Sequence, residues 1–195
     1  MMVATSFERA EVIRLPGFWD AVAASERSLL ALDYDGTLAP FHVDRMKAHP
    51  LPGIKRLIRK LAGLDRTEVA IISGRPLAEL SDLVGLTGVT LVGSHGFETR
   101  AVTGESVVRS PSPIQLQGLE IAEKAVVGSG YAGRVEKKVA SLALHTRGIG
   151  AARAVAITRE VEQLWSQTAE KYDLECRVFK GGIELRSAGW HKGDV

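Results

Sequence analysis

The chain has 195 residues, of which 45% are hydrophobic and 25% charged, and its formal net charge is +2. This composition is typical of a globular protein with one large or two small domains, and the low net charge gives no preference for nucleic acid or an anionic membrane. The single cysteine, Cys176, excludes an internal disulfide framework and fits a reducing compartment. Residues 1–14 contain no signal-peptide core, and no apolar run approaches the ~20 residues of a membrane span. We therefore predict a cytoplasmic protein.

The first half of the chain alternates predicted helices and strands. Residues 16–24 are typical of a short helix, and the apolar run 29–32 is typical of a buried parallel strand. A helix after Pro52, with Ile54, Leu57, Ile58 and Leu61 on one face, leads to a strand at 67–72. A helix through residue 84 and a strand at 89–92 follow. Each strand ends in a polar or glycine-rich turn, which predicts an α/β fold with a parallel, doubly wound sheet.

The pattern changes after Gly96. Segments 97–102 and 106–109 flank a Thr-Gly turn and predict a hairpin, and Gly181-Gly182 predicts another. Helices are predicted at 114–127 and 151–172, with strands at 134–140 and 141–147. Strands paired by hairpins and backed by helices predict an α+β domain inserted in the first. We expect a core at 1–100, the inserted domain at 101–187, and a return to the core at 188–195.

Two carboxylates follow the first strand directly. Asp33 and Asp35 lie at its carboxyl end, where ligands bind in open α/β sheets, and an extended backbone would put both side chains on one side. Two carboxylates in one site repel each other and commonly share a cation or a proton, and Mg²⁺ favours oxygen ligands of this kind. The alternative, a simple Asx-type turn, would explain Asp35-Gly36 but not Asp33.

The segment Asp33-x-Asp35-Gly36-Thr37 resembles the first motif of the haloacid dehalogenase-like phosphatases. The resemblance implies a Rossmann-like core with an inserted cap domain. It also implies that Asp33 is a nucleophile that forms an aspartyl-phosphate, and that Asp35 acts first as general acid and then as base. Both carboxylates would hold Mg²⁺, and Thr37 would contact the phosphate. Related ATP-driven pumps carry Thr in place of the second aspartate, so Asp35 favours a phosphatase.

Two further segments match the same superfamily. Ser73-Gly74-Arg75 ends a strand and opens a helix, where free N–H groups and the helix dipole favour a phosphate. The second segment is Gly189-Trp190-His191-Lys192-Gly193. The alternative for Ser73 is a plain helix N-cap, and the alternative for Lys192 is a solvated surface lysine. Their places match the second and third motifs of the superfamily, which implies phosphate binding by Ser73, Gly74 and Lys192. Arg75 would either touch substrate or fix the loop by hydrogen bonds.

Three pairs of polar residues lie two positions apart on predicted strands of the inserted domain, Glu136 and Lys138, His145 and Arg147, and Glu184 and Arg186, so the members of each pair share a strand face. The alternative is that these strand faces are simply exposed to solvent. Together with Gly189-Trp190-x-Lys192-Gly193 and Ser94-His95-Gly96-Phe97-Glu98, these segments resemble the trehalose-6-phosphate phosphatases. The resemblance implies Mg²⁺-dependent hydrolysis of trehalose 6-phosphate and a functional link to a trehalose-6-phosphate synthase. It also implies that the disaccharide is held by Glu136, Lys138, His145, Arg147 and Glu184.

Two alternatives stay open from the sequence. One is the same chemistry on another sugar phosphate, such as a glycosyl-glycerate or sucrose phosphate. The other is a non-catalytic sugar-phosphate-binding module, although such a module would not need Asp33 and Asp35. The resemblance further implies a fourth, acidic motif well after Lys192, for which residues 193–195 give no room. We therefore expect weak Mg²⁺ binding and little turnover from residues 1–195 alone.

Overall fold

Two β-sheets organise the structure, a computed structural model that describes residues 16–194. The first sheet has five strands and the second has four, and helices lie between the strands in the chain. The mixed architecture, with a parallel arrangement in the first sheet, confirms the predicted fold class. The prediction that residues 1–14 lack a signal-peptide core lies outside the described residues. None of the helices between residues 16 and 194 combines the length and apolarity that a membrane span requires.

The first sheet places three strand ends at one edge. Its order is β1-β2-β3-β4-β5, with β1, β2 and β3 parallel and the last two strands antiparallel. The strands are Ser28–Asp33, Thr67–Ile72, Thr90–Gly93, Glu98–Arg100 and Ser106–Val108. Three helices accompany them, α1 (Phe18–Ala24), α2 (Ile54–Ala62) and α3 (Leu77–Val84). The carboxyl ends of β1, β2 and β3 therefore present Asp33, Ser73 and Ser94 along the same edge.

Apolar side chains of α2, α3 and the parallel strands form the core of this unit. Its fully buried members include Tyr34, Ile71, Leu80 and Leu91. The helical period predicted Leu57 on the buried face of α2, but the structure leaves Leu57 51% exposed and buries the neighbouring Ile58. Of the four residues predicted on this face, Ile54, Ile58 and Leu61 pack in the core and Leu57 does not.

The second unit is an antiparallel sheet covered by helices on one face. Its order is β6-β7-β9-β8, and its strands are Val135–Lys137, Ser141–His145, Gly182–Ser187 and Leu174–Phe179 in that order. Helices α4 (Pro113–Val126) and α5 (Ala151–Lys171) pack on this sheet, and α4 begins with a capping box formed by Ser112 and Gln115. The side chains buried between helices and sheet include Leu142, Leu144, Ile183, Leu185 and Val161. Alternation along the strands then sends the intervening polar residues to the other face.

The hairpin after Gly96 lies in the first sheet, which differs from the expected boundary at residue 101. Strand β5 pairs antiparallel with β4, in the register Glu98↔Val108 and Arg100↔Ser106, and β4 pairs with β3. A hairpin signal predicts that two segments pair with each other, but it does not indicate which sheet they join. The structure therefore keeps residues 106–108 with the core, and the chain enters the second unit after them, where α4 begins.

Trp165 is the largest buried side chain of the second unit. It is fully buried, and its indole N–H donates to the carbonyl of Ala122 at 3.1 Å, which joins α5 to α4. Truncation would leave a large cavity, so Trp165→Ala should lower the free energy of unfolding by about 3–5 kcal/mol. Urea denaturation measures this loss. The exposed neighbour Gln167→Ala is the matched control, and equal losses in both variants would contradict the packing assigned to Trp165.

Candidate active site

The two aspartates flank a buried tyrosine at the end of β1. Tyr34 is fully buried and donates its hydroxyl to the carbonyl of Ala48 at 2.8 Å, and burial raises its pKa to about 12. Asp33 and Asp35, on either side of it, are only partly buried. Gly36 then turns the chain with a φ of +85°, and its N–H donates to the carbonyl of Ala39 at 2.8 Å. The tyrosine thus anchors the turn in the core while the carboxylates point away from it.

Each of these carboxylates is paired with a cation from a distant part of the chain. The Lys192 ammonium contacts Oδ1 of Asp33. Arg75 binds Asp35 with two parallel hydrogen bonds, from Nε to Oδ2 at 2.8 Å and from Nη2 to Oδ1 at 2.7 Å. Burial alone would lower the pKa of Arg75, but the hydrogen bond and charge of Asp35 raise it above its usual value. The segment around Lys192 therefore returns to the strand end that carries Asp33, as the sequence implied.

Arg75 fixes a loop as well as a carboxylate. Its guanidinium also donates from Nη1 to the carbonyl of Arg45 at 2.9 Å, and the side chain is almost fully buried. Of the two roles left open by the sequence, these contacts favour fixing of the loop.

One hydrogen bond to β3 and one within the turn hold the turn after β2. Ser73 is buried, its N–H donates to the carbonyl of Val92 at 2.8 Å, and its Oγ accepts from the Arg75 N–H at 3.1 Å. The N-cap of α3 is Pro76, so Ser73 is not the plain helix cap that was the alternative. Thr37, on the neighbouring turn, is exposed.

A cleft of about 230 Å³ separates the two units. From the first unit it is lined by Asp35, Phe41, Arg45, Gly74, Arg75, Glu79 and His95. From the second unit it is lined by Glu136, Lys138, His145, Arg147, Arg177, Phe179 and Glu184. The structure thus brings all five predicted sugar-binding residues into one cleft with Asp35 and Gly74. Asp33, Thr37, Ser73 and Lys192 lie outside the set of lining residues.

The carboxylates of the second unit are ionised and held in place. Glu184 accepts from Lys138 Nζ at 2.9 Å and from Ser141 Oγ at 2.9 Å, and its other oxygen lies 3.0 Å from Nε2 of His95. Burial would raise its pKa, but the hydrogen bonds and charges of His95 and Lys138 hold the pKa far below its usual range. This carboxylate is therefore a charged hydrogen-bond acceptor at neutral pH.

Glu136 shows the same balance on the neighbouring part of the sheet. It lies 2.7 Å from Nε2 of His145 and also contacts Arg45 of the first unit. Burial would raise its pKa, but the His145 hydrogen bond and the charges of Lys138 and Arg45 lower it. The strand register aligns Glu136, Ala143 and Glu184 across β6, β7 and β9, so the small Ala143 leaves room between the two carboxylates.

Sequence reasoning missed several cleft residues. Phe41 and Phe179 supply aromatic walls, and the Arg147 guanidinium lies 5.6 Å from the centre of the Phe41 ring. Arg45 and Phe41 come from an irregular loop that carries no periodic signal. His95 had a usable signal, because it comes directly after β3 at the same sheet edge as Asp33 and Ser73.

The donor chemistry at the strand end suits Mg²⁺. Within residues 16–194, no group of three or more His, Cys, Asp or Glu side chains is arranged to hold a metal ion. Asp33 and Asp35 nevertheless offer carboxylate oxygens two residues apart, and Mg²⁺ binds through one or two carboxylates, substrate phosphate oxygens and water. The residues present therefore fit the ion, with Asp33 and Asp35 as the groups that would hold it.

The family model described as trehalose-phosphatase matches residues 31–195, which include both units and their cleft. The chain belongs to the trehalose-phosphatase family. Among curated relatives, a trehalose-phosphate phosphatase of Mycobacterium leprae (strain TN) is 30% identical over 190 residues, which cover 95% of this chain and 43% of that protein. A bifunctional trehalose-6-phosphate synthase/phosphatase of Thermoproteus tenax is 31% identical over 172 residues, which cover 88% of this chain and 24% of that protein.

A solved structure of a trehalose-6-phosphate phosphatase domain has a similar fold over most of this chain. The C-terminal domain of the Candida albicans trehalose-6-phosphate phosphatase superposes with a TM-score of 0.76 at 26% identity, and covers 90% of this chain and 62% of that one. These matches confirm the resemblance inferred from the sequence motifs. The chain spans less than half the length of the mycobacterial relatives that it matches, 43% for one and 46% for another.

Proposed function

We propose that this trehalose-phosphatase family member hydrolyses trehalose 6-phosphate to trehalose and phosphate, with Asp33 as the nucleophile and Mg²⁺ as the cofactor. The observation that carries the proposal is the cleft that joins Asp35, at the end of β1, to the five predicted sugar-binding residues of the second unit. Such a cleft serves two ends of one substrate, a phosphate on the side of the first unit and sugar hydroxyls on the side of the second. Relatives named as trehalose-phosphate phosphatases support this substrate.

The first unit would carry the chemistry. A carboxylate oxygen of Asp33 attacks phosphorus, the bond from phosphorus to the sugar oxygen breaks, and Asp35 donates a proton to that oxygen. Water then attacks the phosphorus of the aspartyl-phosphate and gives a proton to Asp35; the bond between phosphorus and the Asp33 oxygen breaks, which releases phosphate and restores the Asp33 carboxylate. Mg²⁺, when bound, would offset the negative charge of the phosphoryl group. Lys192, which contacts Asp33, is placed to offset charge on the same side of the site.

The second unit would select the sugar. Glu136 and Glu184 are charged acceptors for hydroxyl groups, and Lys138, His145 and Arg147 stand beside them in the cleft. A site built to hydrogen-bond hydroxyl groups discriminates strongly, because a substrate without them leaves buried polar groups unpaired. The ion pair between Arg45 and Glu136 and the contact between His95 and Glu184 already join the two units across this cleft.

The proposal extends to a functional partner and to the location of the protein in the cell. The bifunctional name of the Thermoproteus tenax relative supports a functional link to a trehalose-6-phosphate synthase. The free thiol of Cys176 supports a reducing, cytoplasmic location. We expect neither nucleic acid nor membrane among the partners of this protein.

Phosphate release from a panel of substrates tests the proposal. The panel holds trehalose 6-phosphate, sucrose phosphate, a phosphorylated glycosyl-glycerate and p-nitrophenyl phosphate, each with Mg²⁺ or with EDTA. We expect Mg²⁺-dependent release that is slow from residues 1–195 alone, with a kcat/KM for trehalose 6-phosphate at least ~10-fold above that for the other substrates. A higher value for another sugar phosphate would contradict the substrate. Tight binding of trehalose 6-phosphate without any turnover would favour a binding module.

A further inference from the structure

We infer that His95 is a positioning residue that holds Glu184 at a fixed distance from the Ser73-Gly74-Arg75 turn and thereby selects a sugar phosphate over a small phosphate ester. The inference rests on the proposed function and adds to it a specificity determinant supplied by the first unit. His95 is not one of the two predicted catalytic aspartates, and it does not lie on a strand of the second unit. Its three sets of contacts, through backbone, ring face and ring nitrogen, each join a different part of the site.

The backbone at His95 is strained and fixed. Ser94 and His95 have φ values of +47° and +59°, a region that is unfavourable for non-glycine residues and persists only where the surroundings determine it. Two hydrogen bonds do so here. The His95 N–H donates to the carbonyl of Ser73 at 3.0 Å, and the Ser94 N–H donates to the carbonyl of Arg75 at 2.7 Å. The turn after β3 is therefore locked to the turn after β2.

The imidazole ring rests on Gly74. A Cβ atom at Gly74 would lie 2.5 Å from Cε1 and 2.6 Å from Nε2 of His95, which is closer than any side chain tolerates. The absence of a side chain at Gly74 thus makes the space in which the ring sits. Because the ring packs directly against Gly74 of the proposed phosphate turn, the ring and that turn hold fixed positions relative to each other.

The ring nitrogen then reaches across the cleft. Nε2 lies 3.0 Å from Oε2 of Glu184, and the two side chains are 19% and 9% exposed. The other oxygen of Glu184 is held by Lys138 and Ser141, both of the second unit. Glu184 is therefore anchored by one oxygen to its own sheet and by the other to the first unit. This arrangement sets the separation between the phosphate turn and the sugar-binding carboxylate.

That separation matters only to a substrate that spans it. A sugar phosphate would contact the turn with its phosphate and Glu184 with its hydroxyls, whereas p-nitrophenyl phosphate has no hydroxyl to present. Loss of the His95 contact should therefore weaken the binding of the sugar phosphate and leave the reaction of the small ester unaffected. Misplacement of a positioning group by about 1 Å costs up to ~100-fold in rate or affinity.

The test compares His95→Asn with wild type and with His49→Asn. Asparagine tolerates the positive φ at position 95 but is too short to reach Glu184, so the turn is kept while the contact is lost. His49 is an exposed histidine outside the cleft, and its replacement should leave both substrates unaffected. For His95→Asn we expect a rise in KM for trehalose 6-phosphate of about 10- to 100-fold, with an unchanged kcat/KM for p-nitrophenyl phosphate.

A double variant separates positioning from general damage. Because His95 and Glu184 act through one contact, His95→Asn combined with Glu184→Gln should lose no more than the worse single variant. Additive losses, equal losses on both substrates, or an unaltered KM in His95→Asn would each overturn the inference. A wild-type enzyme that does not prefer trehalose 6-phosphate to p-nitrophenyl phosphate would instead overturn the proposed function, and the inference with it.

Discussion

Asp33→Asn should abolish phosphate release and leave the fold intact, with a fall in kcat of at least ~10³-fold. An amide has no anionic oxygen to attack phosphorus, and it is a weaker ligand for Mg²⁺. The fold should survive because the ion pair of Asp33 with Lys192 is accessible to solvent. The exposed fractions of the two side chains are 35% for Asp33 and 38% for Lys192. Exposed ion pairs contribute little to stability.

Asp65→Asn is the matched control for this variant. Asp65 is an exposed aspartate in the turn after α2, away from the cleft, so its replacement should keep wild-type activity. Both variants should have circular dichroism spectra and thermal midpoints like those of wild type. Phosphate release by a folded Asp33→Asn protein at the wild-type rate would exclude Asp33 as the nucleophile.

Replacement of Glu184 should weaken the binding of trehalose 6-phosphate far more than that of a small phosphate ester. Glu184→Ala removes a charged acceptor from the cleft, and KM for trehalose 6-phosphate should rise about 10- to 150-fold, equivalent to the ~1.5–3 kcal/mol of a hydrogen bond to a charged group. Glu136→Ala should act in the same way through the neighbouring carboxylate. The KM for p-nitrophenyl phosphate should stay close to the wild-type value in both variants.

Stability must be measured beside these kinetics. Glu184→Ala leaves the Lys138 ammonium, whose side chain is only 9% exposed, without its partner, and removal of one member of a buried pair costs about 3–5 kcal/mol. Urea denaturation gives this loss separately. Glu170→Ala, on the exposed face of α5, is the control for both measurements. Equal losses of kcat/KM on both substrates would point to a structural or catalytic role for Glu184 rather than recognition of the sugar.

The sequence predicted best what depends on short-range pattern. The strand predicted at 67–72 has the bounds of β2, because the apolar run at 69–72, bounded by a turn on each side, is typical of a buried strand. The two-residue period predicted that Glu136 and Lys138 share one strand face and that His145 and Arg147 share another, and the structure lines the cleft with all four. The resemblance to the third superfamily motif likewise implied that Lys192 lies beside Asp33, and the two side chains are in contact.

The sequence failed where the outcome depends on which units meet. Nothing local indicates that Arg45, in an irregular loop, contacts Glu136, which lies 91 positions later in the other unit. The contact of His95 with Glu184 is likewise a product of the docking of two units. The hairpin at 98–108 was predicted as a hairpin, but the boundary expected at residue 101 divided it between the two units, since a hairpin signal does not indicate which sheet its strands join.

The phosphorylated residue itself provides the most direct test of the account. The protein is mixed with trehalose 6-phosphate and Mg²⁺, quenched in acid within one turnover, treated with borohydride and digested for peptide mass spectrometry. Borohydride reduces an acyl phosphate to the alcohol, so we expect homoserine in place of aspartate at position 33. Signal should be absent from Asp33→Asn, which has no carboxylate at that position to form the acyl phosphate. Modification of any other residue, or steady turnover with position 33 never modified, would contradict the mechanism.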